Sequence, residues 1–175
     1  MDTTQDSSTN APHTDDVSSI DGILAALYGS ISGPAGQKRD WERMRSLFAP
    51  GARLIPTAPV LPEGSAPDTP LNGDEPHAAQ MLDVDGFIAR AETYFEERGF
   101  FENETVRRVE TYGHIAHAWS TYESRHTSDD TAPFARGINS IQLLHDGQRW
   151  WVISIFWEAE TPQTPIPEKY LKSTL

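Results

Sequence analysis

The chain has 175 residues, no cysteine and a formal charge of −12, with 37% hydrophobic residues and five tryptophans. That is the size of one ordinary domain with a core of its own, and the lack of cysteine removes disulfides, thiolate metal sites and a thiol nucleophile. The acidic balance repels phosphate backbones and anionic bilayers, so neither nucleic acid nor membrane is expected as a partner.

Residues 1–15 carry Asp2, Asp6 and Asp15 but no basic segment and no apolar stretch. They read as a disordered acidic leader, not a secretory signal. No run approaches the ~18 apolar residues of a membrane helix, so the cytoplasm is the expected location. Val17, Ile20, Ile23, Leu24, Leu27 and Ile31 then step by three and four, which predicts one helix. Asp15 or Asp16 can cap its start, and Gly33-Pro34 stops it. A second helix is predicted over about 37–48, with Trp41, Met44, Leu47 and Phe48 as its apolar stripe, followed by a short strand over 52–56.

Residues 57–82 hold Pro59, Pro62, Pro67, Pro70 and Pro76 with Gly64 and Gly73. This Pro-rich loop insertion exceeds the ~12–15 residues usual for a structureless connection, and it reads as a binding-site lid or as a plain surface insertion. Asp83 caps a third helix whose inward residues are Phe87, Ile88, Ala91, Tyr94 and Phe95, with Gly99 as its stop. Beyond it the period changes to that of strands, over 101–112, 114–126, 134–145 and 149–160. Asp146-Gly147 between the last two is a strong hairpin signal. The last segment is apolar at both parities: Trp151, Ile153, Ile155 and Trp157 alternate with Trp150, Val152, Ser154 and Phe156. A sheet with one face in water should alternate cleanly. Both faces of this strand are therefore expected to be covered, one by the helices and the other by a second copy of the sheet in a homodimer. The alternative cover is the C-terminal tail, residues 161–175, folded back over that face.

Two stretches carry a family resemblance. Residues 40–54, Asp-Trp-Glu-Arg-Met-Arg-Ser-Leu-Phe-Ala-Pro-Gly-Ala-Arg-Leu, resemble the second helix and first strand of the nuclear transport factor 2-like superfamily, also called SnoaL-like. Residues 146–153, Asp-Gly-Gln-Arg-Trp-Trp-Val-Ile, resemble its last hairpin. The resemblance spans residues 16–160 and implies an α+β cone-shaped roll: three N-terminal helices packed on a curved antiparallel sheet, also described as cystatin-like. It also implies an interior that often holds a ligand, in a family that includes isomerases, dehydratases, epoxide hydrolases, cyclases and non-catalytic members. The place of the isomerases' catalytic Asp falls at Pro56 and that of their second acid near Ile141. Neither ionises, which argues against that mechanism.

The residues themselves leave several candidates. His114 and His117 are three apart on a strand and point to opposite faces, which argues against a metal site. His117, Trp119, Thr121 and Glu123 share one strand face. If it faces the cavity, His117 and Glu123 are the acid/base candidates. Otherwise Glu123 and Arg125 form a wet rim and His117 is a satisfied histidine. Arg136 could neutralise an anionic ligand or pair with Glu123. Asn139 is a polar residue in an apolar strand and needs a partner, either a ligand or backbone. Trp41, Tyr94, Trp119 and Trp157 are packing residues or an aromatic lining. No cofactor motif occurs. Three readings stand: a small-molecule-binding protein; a cofactor-free lyase, isomerase or hydrolase; and a non-catalytic dimerisation or interaction domain.

Overall fold

The structure, a computed structural model, describes residues 13–66, 69, 73 and 75–172. Residues 1–12 of the expected leader, residues 67–68, 70–72 and 74 of the Pro-rich loop, and residues 173–175 of the tail lie outside the described residues.

The stretch expected as one helix is two, α1 (Thr14–Val17) and α2 (Ile20–Ile31). Between them Ser19 has an extended backbone, and its hydroxyl accepts from the Gly22 N–H at 2.9 Å, which starts a new helix. Asp16, expected as a cap, instead takes two bonds of 2.7 and 2.8 Å from the Arg43 guanidinium. That pair ties α1 to α3 (Trp41–Leu47), and Arg43 holds the Asp16 carboxyl below the usual carboxylate range. Thr14 and Asp15, assigned above to the leader, thus belong to a helical turn. Asp40 caps α3, accepting from the Arg43 N–H at 2.9 Å. Asp83 caps α4 (Val84–Arg98), which ends at Gly99 with φ 69. A Cβ on Gly99 would meet the His126 carbonyl at 2.5 Å, so both the turn and the contact require glycine there.

The strands are β1 (Phe48–Pro59), β2 (His77–Ala79), β3 (Phe101–Tyr112), β4 (Ile115–Arg125), β5 (Ala135–His145) and β6 (Trp150–Ala159), in sheet order β2-β1-β6-β5-β4-β3. From β3 to β6 every pairing is antiparallel, as hairpins require. β1 runs parallel to β6, so the sheet is mixed and not wholly antiparallel. The chain leaves β1, crosses through α4 and re-enters at the far edge, so β1 and β6 meet without a hairpin. Part of the Pro-rich loop is also ordered by hydrogen bonds: β2 pairs with the end of β1, Thr57 opposite Ala79.

Two bulges decide which side chains face the helices. One extra residue reverses the faces of everything beyond it. In β3 the register shifts between Glu104 and Val106. In β6 it shifts at Ile153, between the pairs Gln142–Ser154 and Leu143–Val152. The inner row of β6 is therefore Trp150 and Val152, then Ile155 and Trp157, all packed on the core. The inner row thus draws apolar residues from both parities, a cause the alternation rule did not anticipate, while Trp151, Ile153 and Phe156 lie off it. Under the helices lie Ile23, Leu24, Met44, Leu47, Leu54, Ile141, Leu143 and Val152, fully buried. The tail crosses the other face, ending in a 3₁₀ turn at Glu168–Tyr170. Among the described residues no helix is long and apolar enough to cross a membrane.

Candidate functional site

Between the helices and the sheet lies a cavity of about 190 Å³. Its walls are mainly apolar, with Leu27 and Ile31 from α2, Met44 from α3, Phe87 and Phe95 from α4, and Trp157 from β6. Four polar side chains stand along the same lining: Tyr28, Glu102, Tyr122 and Asn139.

Their arrangement follows from the sheet register. Glu102 lies opposite Ser124, Glu104 opposite Tyr122, and Ser120 opposite Asn139, all on the inner face. The Glu102 carboxylate accepts from the Ser124 hydroxyl at 3.0 Å and from Asn139 Nδ2 at 3.4 Å. Asn139 Nδ2 also donates to the Tyr28 hydroxyl at 3.0 Å. Ser120 donates its proton to Glu104, so the 2.7 Å contact between Tyr28 and Ser120 has Tyr28 as donor. The bonds thus run from Asn139 through Tyr28 and Ser120 to Glu104, which is held by Arg107 Nε at 3.0 Å. Among the described residues neither the Tyr122 hydroxyl nor the Asn139 amide oxygen has a hydrogen-bond partner. Gly137 makes room for Tyr122 to lie across β5, since a Cβ there would come within 2.6 Å of that hydroxyl.

Burial pushes the Glu102 carboxyl up to about 7, against hydrogen bonds from Ser124 and Asn139 that favour its charged form. Near neutral pH it is present in both protonation states. Burial raises the Tyr28 and Tyr122 phenols above their usual range, and the neighbouring Glu102 charge adds to both. Tyr28 and Glu102 also line a polar groove between α2 and β3, with Asp21 and Arg107, so protons can reach this carboxyl from that side as well.

The candidates read from the sequence are not gathered in one place. Asn139 and Trp157 line the cavity. Trp41 lies behind it, stacked on Phe95 at 6.3 Å and donating to Glu92 at 3.1 Å. Tyr94 is on the outer side of α4, under the Arg98 guanidinium. The inner residues of β4 are Ala116, Ala118, Ser120, Tyr122 and Ser124. His117, Trp119 and Glu123 therefore face away from the cavity, and the condition set for His117 and Glu123 as an acid/base pair inside it does not hold. His117 Nε2 lies 2.9 Å from the Ser140 hydroxyl, and Glu123 accepts from Arg125 at 2.7 Å. Arg136 pairs with Glu160, not with Glu123. Glu102, Tyr28, Ser120 and Tyr122 were not singled out from the sequence. The available signal was the repeat of acids at Glu102 and Glu104 in an otherwise strand-like segment.

The chain matches no family model, and no curated protein matches it. Solved structures do. It is similar to a protein of unknown function with a cystatin-like fold from Nostoc punctiforme, at 14% identity and a TM-score of 0.56, over 85% of this chain and 92% of that one. It is similar to an NTF2-like protein of unknown function from Shewanella baltica, at 15% identity and a TM-score of 0.51, over 81% and 91%. A third, from Silicibacter pomeroyi and likewise described as NTF2-like and of unknown function, has 16% identity and a TM-score of 0.50, over 82% and 94%. The chain has the nuclear transport factor 2-like, cystatin-like fold.

Proposed function

We propose that the protein binds a small, mainly hydrocarbon molecule with one polar group in the inner cavity, the polar group meeting Glu102, Tyr122 and Asn139. The observation that carries this reading is an apolar chamber whose lining includes two polar atoms with no protein partner beside a carboxyl that titrates near neutrality. An apolar cavity of about 150 Å³ accommodates benzene, so 190 Å³ suits a ligand of roughly six to ten non-hydrogen atoms. Cyclic ketones and phenols of that size are the class to screen by thermal shift. At a hundredfold excess over Kd a true ligand adds about 2.7 kcal/mol, or roughly 5–10 °C for a domain this size. Asn139→Ala should abolish the rise. No response to any ketone or phenol in the screen would remove this reading and favour a pure interaction domain.

A second reading is favoured by Glu102 itself. A buried carboxyl near 7 is suited to move a proton between carbon and oxygen without a cofactor, which would make the protein a lyase or isomerase. The test is deuterium uptake from D₂O at the carbon next to the carbonyl of a bound ketone. Glu102→Gln should stop it, since the amide cannot take the proton. Association of two copies through the outer sheet face is proposed alongside, and its test is given in the Discussion.

A further inference from the structure

The outer face of the sheet holds a second pocket, of about 320 Å³, beneath the C-terminal tail. Ser140 on β5 is opposite Trp119 on one side and Phe156 on the other. Two large rings thus flank one small residue, on strands about 10 Å apart across two strand spacings. That gap admits one further ring at the ~4.5–7 Å centroid separations that aromatic pairs prefer. The tail forms the roof through Pro165, Ile166 and Tyr170. It is fixed largely by its backbone: the Thr121 hydroxyl donates to the Tyr170 carbonyl at 2.7 Å, Arg108 Nη2 to the Lys169 carbonyl at 2.7 Å, and the Ile166 N–H to Glu160 at 2.9 Å. The tail also brings the Tyr170 ring to 5.8 Å from Trp119.

One atom in this setting has no protein partner. The Trp119 indole N–H is buried and meets no acceptor among the described residues. A buried donor without a partner is rare in folded proteins and calls for an acceptor from elsewhere. The rim adds a constraint on charge: Glu158 lines the pocket, Glu160 beside it is paired with Arg136, and the chain carries a net charge of −12, which disfavours anions.

We propose that this pocket is a second binding site, for a neutral, planar aromatic molecule that lies between Trp119 and Phe156 and accepts the Trp119 indole N–H. The site is on the opposite face from the cavity discussed above, and it stands whether or not that cavity binds a ligand.

Coumarin, flat, uncharged and carrying a lactone carbonyl, is a suitable probe. The test uses the full ¹⁵N-labelled chain and follows the indole N–H signals of its five tryptophans, with the Trp119 signal identified by its loss in Trp119→Phe. Coumarin is expected to move the Trp119 signal downfield with a saturable titration. Phe156→Ala should weaken that binding about tenfold, the effect of losing one aromatic wall. Trp119→Phe keeps a ring but loses the donor, and should weaken it several-fold, followed through the Tyr170 backbone amide. The other amide signals of each variant report that it is folded. The proposal is overturned if coumarin moves the Trp157 signal and leaves Trp119 in place, or if no tryptophan signal moves up to the solubility limit of the probe.

Discussion

Glu102 gives the folded chain a pH response that can be measured without knowing any ligand. Burial sets its value near 7 against an ordinary 4.5, so between those two values the native chain keeps a proton that the unfolded chain has released. Stability must then fall as pH rises through that window and level off above 7. The loss amounts to about 3.5 kcal/mol at most, since each tenfold change in proton affinity is worth about 1.4 kcal/mol. Glu102→Gln removes the titration, so the variant should overtake the parent as pH climbs from 5 to 8, read as urea midpoints at each pH. Parallel profiles would mean that the carboxyl is not perturbed. Asn139 was legible in the sequence because a lone amide among Ile138 and Ile141 demands a partner. Glu102 was not. Counting back from the tight turn at Gly113, strict alternation puts Glu102 and Glu104 on the outer face, and only the bulge at Thr105 brings them inside. His117 misled for the converse reason, since its face is decided by where α2 packs. The small residues Ala116, Ala118 and Ser120 were the one hint that the helix lies on their side.

The ends of the helices are held by one side chain that no motif announces. Arg39 is 6% exposed and donates to the carbonyls of Ile31, Gly33, Pro34, Gln37 and Phe95. The Ile31 carbonyl is the last of α2, and the Phe95 carbonyl, which also accepts from the Gly99 N–H, lies in the last turn of α4, so both stand at the negative ends of the helix dipoles. One planar guanidinium meets both ends and the loop between Gly33 and Gln37. Arg39→Ala should therefore cost about 3–5 kcal/mol, as for other buried charged hydrogen-bond networks. Arg39→Lys should recover less than half, because an ammonium cannot reproduce the fork. Chemical denaturation of the two variants checks this, and a cost under about 1 kcal/mol for the alanine would contradict it. Other element boundaries were readable where a single residue fixes them, as Asp40, Asp83 and Gly99 do. The break at Ser18-Ser19 was not, since the hydrophobic period runs straight through it. Nor was the bulge at Ile153, because a doubly apolar strand is what both a parity change and two covered faces produce.

That ambiguity reaches the whole molecule, because the expected homodimer was argued from the doubly apolar strand. With the bulge, the inner row accounts for half of the apolar residues of β6, so the doubly apolar pattern no longer requires two covered faces. The reason to keep a second copy is now a different one. The tail covers the outer face around Trp119, Thr121 and Val106, but toward the β3–β4 turn Tyr112 remains 84% exposed and Ile115 58%, and Phe156, at the level of Trp119, is 45% exposed. Apolar groups gathered on one face of a sheet are the kind of surface that a twofold axis can bury against itself. Two chains of charge −12 repel, so such a dimer should tighten as salt screens the repulsion. Sedimentation velocity at 0.05 and 0.5 M salt is expected to show more dimer at the higher salt, and Tyr112→Glu with Ile115→Glu should return the protein to a monomer. Removing residues 161–175 should strengthen association, because it uncovers Trp119 beside the same patch. A chain that sediments as a monomer at every concentration and salt, with and without its tail, has no use for a second copy, and its tail is then the only cover the outer face requires.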